Sequence, residues 1–303
     1  MTESLAAKFG NSSGVPASGV GGSPAGALAG GGEMGTHVRA KHWAGTALGS
    51  VATWPPSWHT VVNLCLSSDF PMTITWGPEL TQVYNDAYIP VLGAKHPASL
   101  NQTFDECWAE VWDVLGPMAR RAMTTGEPSF RENMRMDINR FGYVEEAFFT
   151  YSFSPIRDET GRIAGLFHPV KEVTREVLAE RRVRALRDLA ARVGESNTAE
   201  RACAAMAETL GQHQADVSFA LVYLLDASGT RAHLAGTMGL EAGEAASPET
   251  VDLAAPELPG SWPLAVAASA REPVVVTELE SRFGPLPGGL WPELSRQAVV
   301  LSL

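Results

Sequence analysis

The chain has 303 residues, 45% of them hydrophobic, and a mean hydropathy near zero, which is enough for about two domains with ordinary cores. A net charge of -11 and a pI of about 5.1 argue against duplex nucleic acid or an anionic membrane as partner, since both repel a polyanion. No window approaches the roughly 18 consecutive apolar residues of a membrane span, and the start, MTESLAAKFG, has neither the basic nor the apolar region of a secretory signal.

Residues 1–34 are Gly, Ala, Ser and Pro with almost no aromatic content, a composition that predicts a disordered tail. Within it Gly30-Gly31-Gly32-Glu33-Met34-Gly35 matches the G-x-G-x-x-G dinucleotide pattern letter for letter. That fingerprint needs a strand before it and a helix after it, and a low-complexity tract promises neither, so a nucleotide site is rejected. Trp43, Trp54 and Trp58 then surround a Gly/Pro-containing loop. Residues 58–67 read as an amphipathic helix with Val61, Val62, Leu64, Cys65 and Leu66 on or near its apolar face, ended by Phe70-Pro71. Residues 72–76 and 80–84 read as paired strands around the turn Gly77-Pro78-Glu79, and Asn85-Asp86 as the cap of a short helix. Residues 105–125 carry Trp108, Val111, Trp112, Leu115 and Met118 at spacings of three and four, an amphipathic helix broken or bent at Gly116-Pro117. Met134, Met136 and Ile138 alternate, which predicts a strand over 130–138.

The stretch 148–175 organises the rest. Phe149, Tyr151 and Phe153 point one way and Thr150, Ser152 and Ser154 the other, the period of a half-buried strand. Residues 157–161 are polar and end in Gly161, a hairpin connection to a second strand over 162–170. From Lys171 the residues become charged helix formers, with Glu172-Val173-Thr174 at the handover from strand to helix. In this connector, 171–195, Glu180 precedes Arg184 and Asp188 precedes Arg192 by four, the favourable order on a helix. Val183, Leu186, Ala190 and Val193 form a seam two heptads long, which suits either a solvated interdomain helix or a parallel homodimer. Beyond it come a helix over 198–210 with Ala202, Met206 and Leu210 aligned, strands over 217–225 and 231–238, a helix led by Trp262-Pro263-Leu264, the run Glu272-Pro273-Val274-Val275-Val276, and a strand over 297–303.

Several blocks in order carry a family resemblance. Trp76-Gly77-Pro78-Glu79-Leu80, Tyr84-Asn85-Asp86-Ala87-Tyr88, Leu92-Gly93-Ala94-Lys95-His96-Pro97, Cys107-Trp108-Ala109-Glu110-Val111-Trp112 and Tyr151-Ser152-Phe153-Ser154-Pro155-Ile156-Arg157-Asp158, preceded by His42-Trp43, Thr46-Ala47-Leu48-Gly49 and Trp54-Pro55, resemble the N-terminal PAS-GAF sensory region of bacterial hybrid sensor histidine kinases. The resemblance implies an α+β chain: a PAS domain at 35–170, with a five-stranded antiparallel sheet and helices over one face, a linker helix at 171–195, and a GAF domain at 196–303. The likeness to GAF domains stops at Leu303 before the last strands and closing helix, so the domain is expected to be C-terminally incomplete. Glu172-Val173-Thr174 stands where PAS domains carry Asp-Ile-Thr, the junction that couples sheet to output helix, with Glu172 keeping the carboxylate. The family implies a cytosolic signal receiver in a two-component system.

Trp76, Tyr84, Trp108, Trp112, Phe149, Tyr151, Phe153, Phe167 and His168 are the candidate lining of the PAS cavity. They serve either as the core of a domain this size or as aromatic walls for a small planar ligand oriented by Tyr or His. Cys107 sits in Glu-Cys-Trp-Ala and not in the Asn-Cys-Arg-Phe-Leu-Gln run of flavin-photoreactive PAS domains, so flavin-thiol chemistry is excluded. Haem would need His96 or His168 as axial ligand and is disfavoured, because a histidine between Lys95 and Pro97 reads as a solvated loop residue. The cyclic-nucleotide signature Asn-Lys-Phe-Asp-Glu is absent, no cysteine lies where a bilin would attach, and Cys203 reads as a small buried apolar residue. Cys65, Cys107 and Cys203 are odd in number and lack CxxC spacing, which suits reduced thiols and no metal centre. None of the seven histidines has a phosphoacceptor setting, and ATP boxes, Gly-x-Ser-x-Gly, HExxH and a Walker loop are missing. The expectation is therefore a sensory module whose kinase core lies outside this chain. Input to a serine phosphatase or a diguanylate cyclase, and a stand-alone ligand-binding or dimerisation protein, are the alternatives.

Overall fold

The computed structural model describes residues 28–255, 260–270 and 272–303, which divide into two compact units meeting after Thr174. No helix among the described residues is long and apolar enough to cross a membrane.

The first unit opens with α1 (Glu33–Ala40) and α2 (Pro56–Leu66). Residues 1–27 of the expected tail lie outside the described residues, but 28–34 are built into the fold. Ala29 N–H donates to Asn63 Oδ1 at 2.9 Å, and Met34 is fully buried. The Gly-rich run does precede a helix, contrary to the sequence reading. Its first turn, however, is already capped: Asp86 accepts from the N–H groups of Gly32, Glu33 and Met34 at 2.9, 3.1 and 2.6 Å. A carboxylate fills the position a phosphate would take, and a Cβ on Gly32 would clash with Asp86 Oδ2.

Five strands follow, interrupted by helices: β1 (Met72–Trp76), β2 (Thr81–Tyr84), α3 (Ile89–Leu92), α4 (Phe104–Cys107), α5 (Trp112–Thr125), β3 (Ser129–Ile138), β4 (Glu145–Arg157) and β5 (Ile163–Glu172). All neighbours are antiparallel in the order β2-β1-β5-β4-β3, the mixed α+β arrangement that a PAS fold requires. Strand alternation divides the side chains between two faces. Thr73 and Thr75 share a face with their partners His168 and Leu166, while Ile74 and Trp76 pair with Phe167 and Gly165 on the other. The first face lies under α4 and α5, where Phe104 packs on His168 and Phe153, and Tyr151 donates to Met118 Sδ. The second is not bare, as the expectation of helices on one face would have it. Trp58 of α2 meets Trp76 with ring centroids 5.0 Å apart, and Trp54 and Trp43 extend the contact through edge-to-face pairs.

The predicted break at Gly116-Pro117 falls elsewhere. Trp108 (φ -117°, ψ 36°) and Val111 (φ -123°, ψ 13°) leave helical geometry, whereas Pro117 sits inside α5. A proline disfavours helical backbone before it by clashing with the preceding N–H and Cβ, and Gly116 has no Cβ. The Trp112 ring occupies that space, 2.8 Å from where a Cβ would stand.

The second unit begins with α6 (Thr174–Gly194, its first residue belonging to the first unit) and α7 (Ala199–Leu210). A three-stranded sheet joins β6 (Ala220–Leu225), β7 (Arg231–Met238) and β8 (Thr250–Asp252). After α8 (Leu264–Ser269) a separate pair forms from β9 (Val274–Val276) and β10 (Ala298–Val300), with α9 (Leu279–Phe283) between them. The final strand spans three residues instead of 297–303, and β8 and α9 were not anticipated. Their few residues are too short to show a period. A small core centres on Trp262, stacked on Phe283 at 4.1 Å and donating to Ala246 O at 2.6 Å.

Candidate functional site

Two features of the first unit are candidates for a functional site: the cleft between sheet and helices, and the end of β5. The cleft is lined by Tyr88, Val91, Phe104, Trp108, Leu115, Met136, Ile138, Phe149, Tyr151, His168 and Val170. Among the nine candidates, Trp108, Phe149, Tyr151 and His168 meet there. Phe153 stacks on His168 at 4.3 Å behind them, and Tyr84 reaches the cleft layer through Tyr88, ring centroids 5.9 Å apart. Trp76 and Phe167 do not belong to the lining, because strand alternation puts them on the opposite face. Trp112 stands at the start of α5 with Arg120 over its ring and is also outside it. Tyr88, Phe104 and Leu115 were missed. Phe104 had no sequence signal, since the helix was expected to begin one residue later.

The void the lining encloses measures about 20 Å³, little more than the ~10–15 Å³ that one water needs. The aromatics therefore pack as a core in this structure, and a porphyrin has no room beside His168. That histidine is fully enclosed, its Nδ1 2.9 Å from Ser152 O, and burial pulls its pKa down to about 4, so it is neutral at physiological pH. Burial raises the Tyr151 phenol to about 12 and moves Tyr84 and Tyr88 upward as well. Cys107 is buried against Ser99 Oγ at 3.3 Å, and burial raises its thiol, the reverse of a reactive cysteine. Cys65 and Cys203 are also buried and free. His96 is not a solvated loop residue: its side chain is 11% exposed, held between Tyr84 Oη at 3.0 Å and Glu33 Oε1 at 2.9 Å.

At the end of β5 the chain leaves the sheet through Glu172, Val173 and Thr174. Val173 N–H donates to Phe148 O at 2.8 Å, Thr174 Oγ1 accepts from Phe148 N–H at 2.9 Å, and the Thr174 hydroxyl donates to Glu172 Oε1 at 2.9 Å. Glu172 is gripped in turn by Arg140, from the turn between β3 and β4. All five guanidinium hydrogens have acceptors: Nη1 donates to Glu172 Oε2 at 2.7 Å and Pro90 O at 3.1 Å, Nη2 to Glu172 Oε1 at 2.9 Å and Glu145 Oε2 at 3.4 Å, and Nε to Glu145 Oε1 at 2.7 Å. Burial alone would raise the Glu172 carboxyl, but the hydrogen bonds from Arg140 and Thr174 outweigh it and hold the pKa below 4.5. The backbone joins in as well, since Arg140 O accepts from Ala94 N–H at 2.8 Å. A Cβ on Gly93, already at φ +56°, would strike that oxygen at 2.7 Å. Arg140 thus ties α3, whose Val91 lines the cleft, to the residue where α6 departs. A lone arginine in a hairpin turn carries no sequence signal, and this one was missed.

No protein-family model matches the chain, and no curated protein does. Among solved structures, the chain is similar to a sensory box sensor histidine kinase from Vibrio cholerae, at 18% identity and a TM-score of 0.27 over 38% of this chain and 86% of that one. It is also similar to the PAS domain of Bordetella pertussis BvgS, at 19% identity and a TM-score of 0.33 over 43% and 96% of the two chains. An RNA-binding Light-Oxygen-Voltage receptor matches at 18% identity and a TM-score of 0.34 over 45% of this chain and 38% of its own.

Proposed function

We propose that the chain is the cytosolic signal-receiving portion of a two-component sensor histidine kinase. The PAS unit passes strain through Glu172, Val173 and Thr174 into α6, the second unit acts as a GAF-like relay, and phosphotransfer belongs to a kinase core outside this chain. The observation that carries the reading is the fully satisfied Arg140, which joins α3 at Pro90, next to the cleft residue Val91, to the root of α6 at Glu172. A two-sided grip of this kind lets a small displacement of α3 alter the start of the output helix. The chain acts as a homodimer through α6, whose Val183 and Leu186 are 65% and 67% exposed.

The reading is tested by placing the full chain in frame before a histidine kinase core and following autophosphorylation. Arg140→Ala and Thr174→Ala are expected to change the kinase level several-fold, with the circular dichroism spectrum unchanged. An output indifferent to both would sink it.

The filled cleft favours a second reading, in which the PAS unit takes its signal from a protein contact or from dimer strain and binds no metabolite. Native mass spectrometry of the purified chain separates the two, because a retained small molecule requires the cleft to open beyond its present volume.

A further inference from the structure

Glu33 and His37 stand one turn apart on α1 and therefore share a face. His96, from the loop after α3, reaches the same spot. His96 Nε2 lies 2.9 Å and His37 Nε2 3.6 Å from Glu33 Oε1, and the three donor atoms lie within 4.8 Å of one another. Bonds of about 2.0–2.1 Å in a tetrahedral zinc site set ligand atoms about 3.3 Å apart, between the two observed separations. The longest edge would close by rotation of the His37 side chain, which is 41% exposed and meets His96 edge-on.

We propose that Glu33, His37 and His96 bind a first-row divalent transition cation, Zn²⁺ above all. Two imidazoles and one carboxylate are the donor types that suit zinc and not magnesium or calcium. Tyr84 supplies the outer support such sites use: its Oη is 3.0 Å from His96 Nδ1 and, by accepting that ring's proton, leaves Nε2 to coordinate. Glu33 is 59% exposed, so the cation has an entry path and a fourth position for water. Asp86 fixes the first turn of α1 through three backbone N–H groups, which holds Glu33 in place before any ion arrives. A bound cation would clip α1 to the loop that carries Lys95, whose ammonium donates to Cys107 O and Glu110 and lies 4.4 Å from the ring of the cleft residue Trp108.

The experiment is a Zn²⁺ titration of the chelator-treated full chain against a chromophoric chelator, repeated with Co²⁺ to read the tetrahedral absorption bands. One equivalent is expected to bind and to raise the melting temperature. His37→Ala, at a half-exposed position outside the core, and His96→Ala should each weaken binding at least about tenfold, and Tyr84→Phe by about 10-fold or more. His233→Ala, on β7 of the second unit, should leave it unchanged, and Mg²⁺ and Ca²⁺ should not compete. No stoichiometric uptake, or uptake that His37→Ala and His96→Ala retain in full, would overturn the site.

Discussion

Arg140 holds both carboxylate oxygens of Glu172, at 2.7 and 2.9 Å, while the Thr174 hydroxyl donates to one of them. The pair is two-pronged and largely shielded, so removing Arg140 leaves the Glu172 and Glu145 carboxylates without their counter-ion. Arg140→Ala is expected to destabilise the first unit by about 3 kcal/mol, and Glu172→Gln by less, because Glu145 still pairs with Arg140. Urea unfolding measures both. The pH dependence has a definite sign. A carboxyl whose folded pKa lies below 4.5 contributes stability that is present above 4.5 and lost as pH falls through the folded value. The advantage of the natural chain over Glu172→Gln should therefore shrink as pH drops below about 4.5.

His168 titrates in the same direction from a different cause, since burial disfavours its charged form instead of an ion pair favouring one. Its pKa is lowered from 6.5 to about 4 by burial, so between those values the unfolded chain binds a proton that the folded chain does not. Stability should be full above pH 6.5 and fall by up to about 3 kcal/mol as pH approaches 4. His168→Phe, which keeps the stack on Phe153, should flatten this slope. A His168 ring that titrates near 6.5 in the folded protein by NMR would contradict it.

The cleft makes a third prediction. Phe104 touches Trp112, Phe153 and His168 edge-on and is almost wholly buried. Phe104→Ala should cost about 3–5 kcal/mol and open an apolar void beside the present one. An apolar void of that size stays dry and accepts small aromatics, so benzene or indole should raise the melting temperature of the variant and not of the natural chain.

The hairpin of β4 and β5, the partner strands β1 and β2, and the departure of α6 were all legible, because alternation and turn residues are local signals. What escaped the sequence is what depends on distant partners. Asp86 reads as part of a local cap, and Asn85 does cap its own turn by accepting from Tyr88 N–H. The Asp86 carboxylate instead caps a helix more than fifty residues earlier. Trp76 and Phe167 were grouped with the cleft because they are aromatic, but register decides the face, and register shows only once β1 and β5 are paired. Helix α5 runs on through Pro117, where Gly116 offers no Cβ for the proline ring to clash with.

The last prediction concerns α6. None of its residues is buried, yet its sides differ. One is committed within the second unit, where Arg181 donates to Asp216 at 2.7 and 3.0 Å and the Asp188 carboxylate lies 3.3 Å from His213 Nε2. Val183, Leu186 and Ala190 lie off that side and face solvent. A helix with so little apolar surface buried against its own chain draws little stability from packing, and burying Leu186 against a second copy would return about 1.5–3 kcal/mol per side chain. Two heptads make a weak contact, so the dimer should dissociate on dilution, with light scattering showing the mass falling towards one chain. Leu186→Glu, which sets like charges against each other across a parallel seam, should give monomer at every concentration without changing the melting of the first unit. A mass that ignores Leu186→Glu would move the dimer contact to another surface.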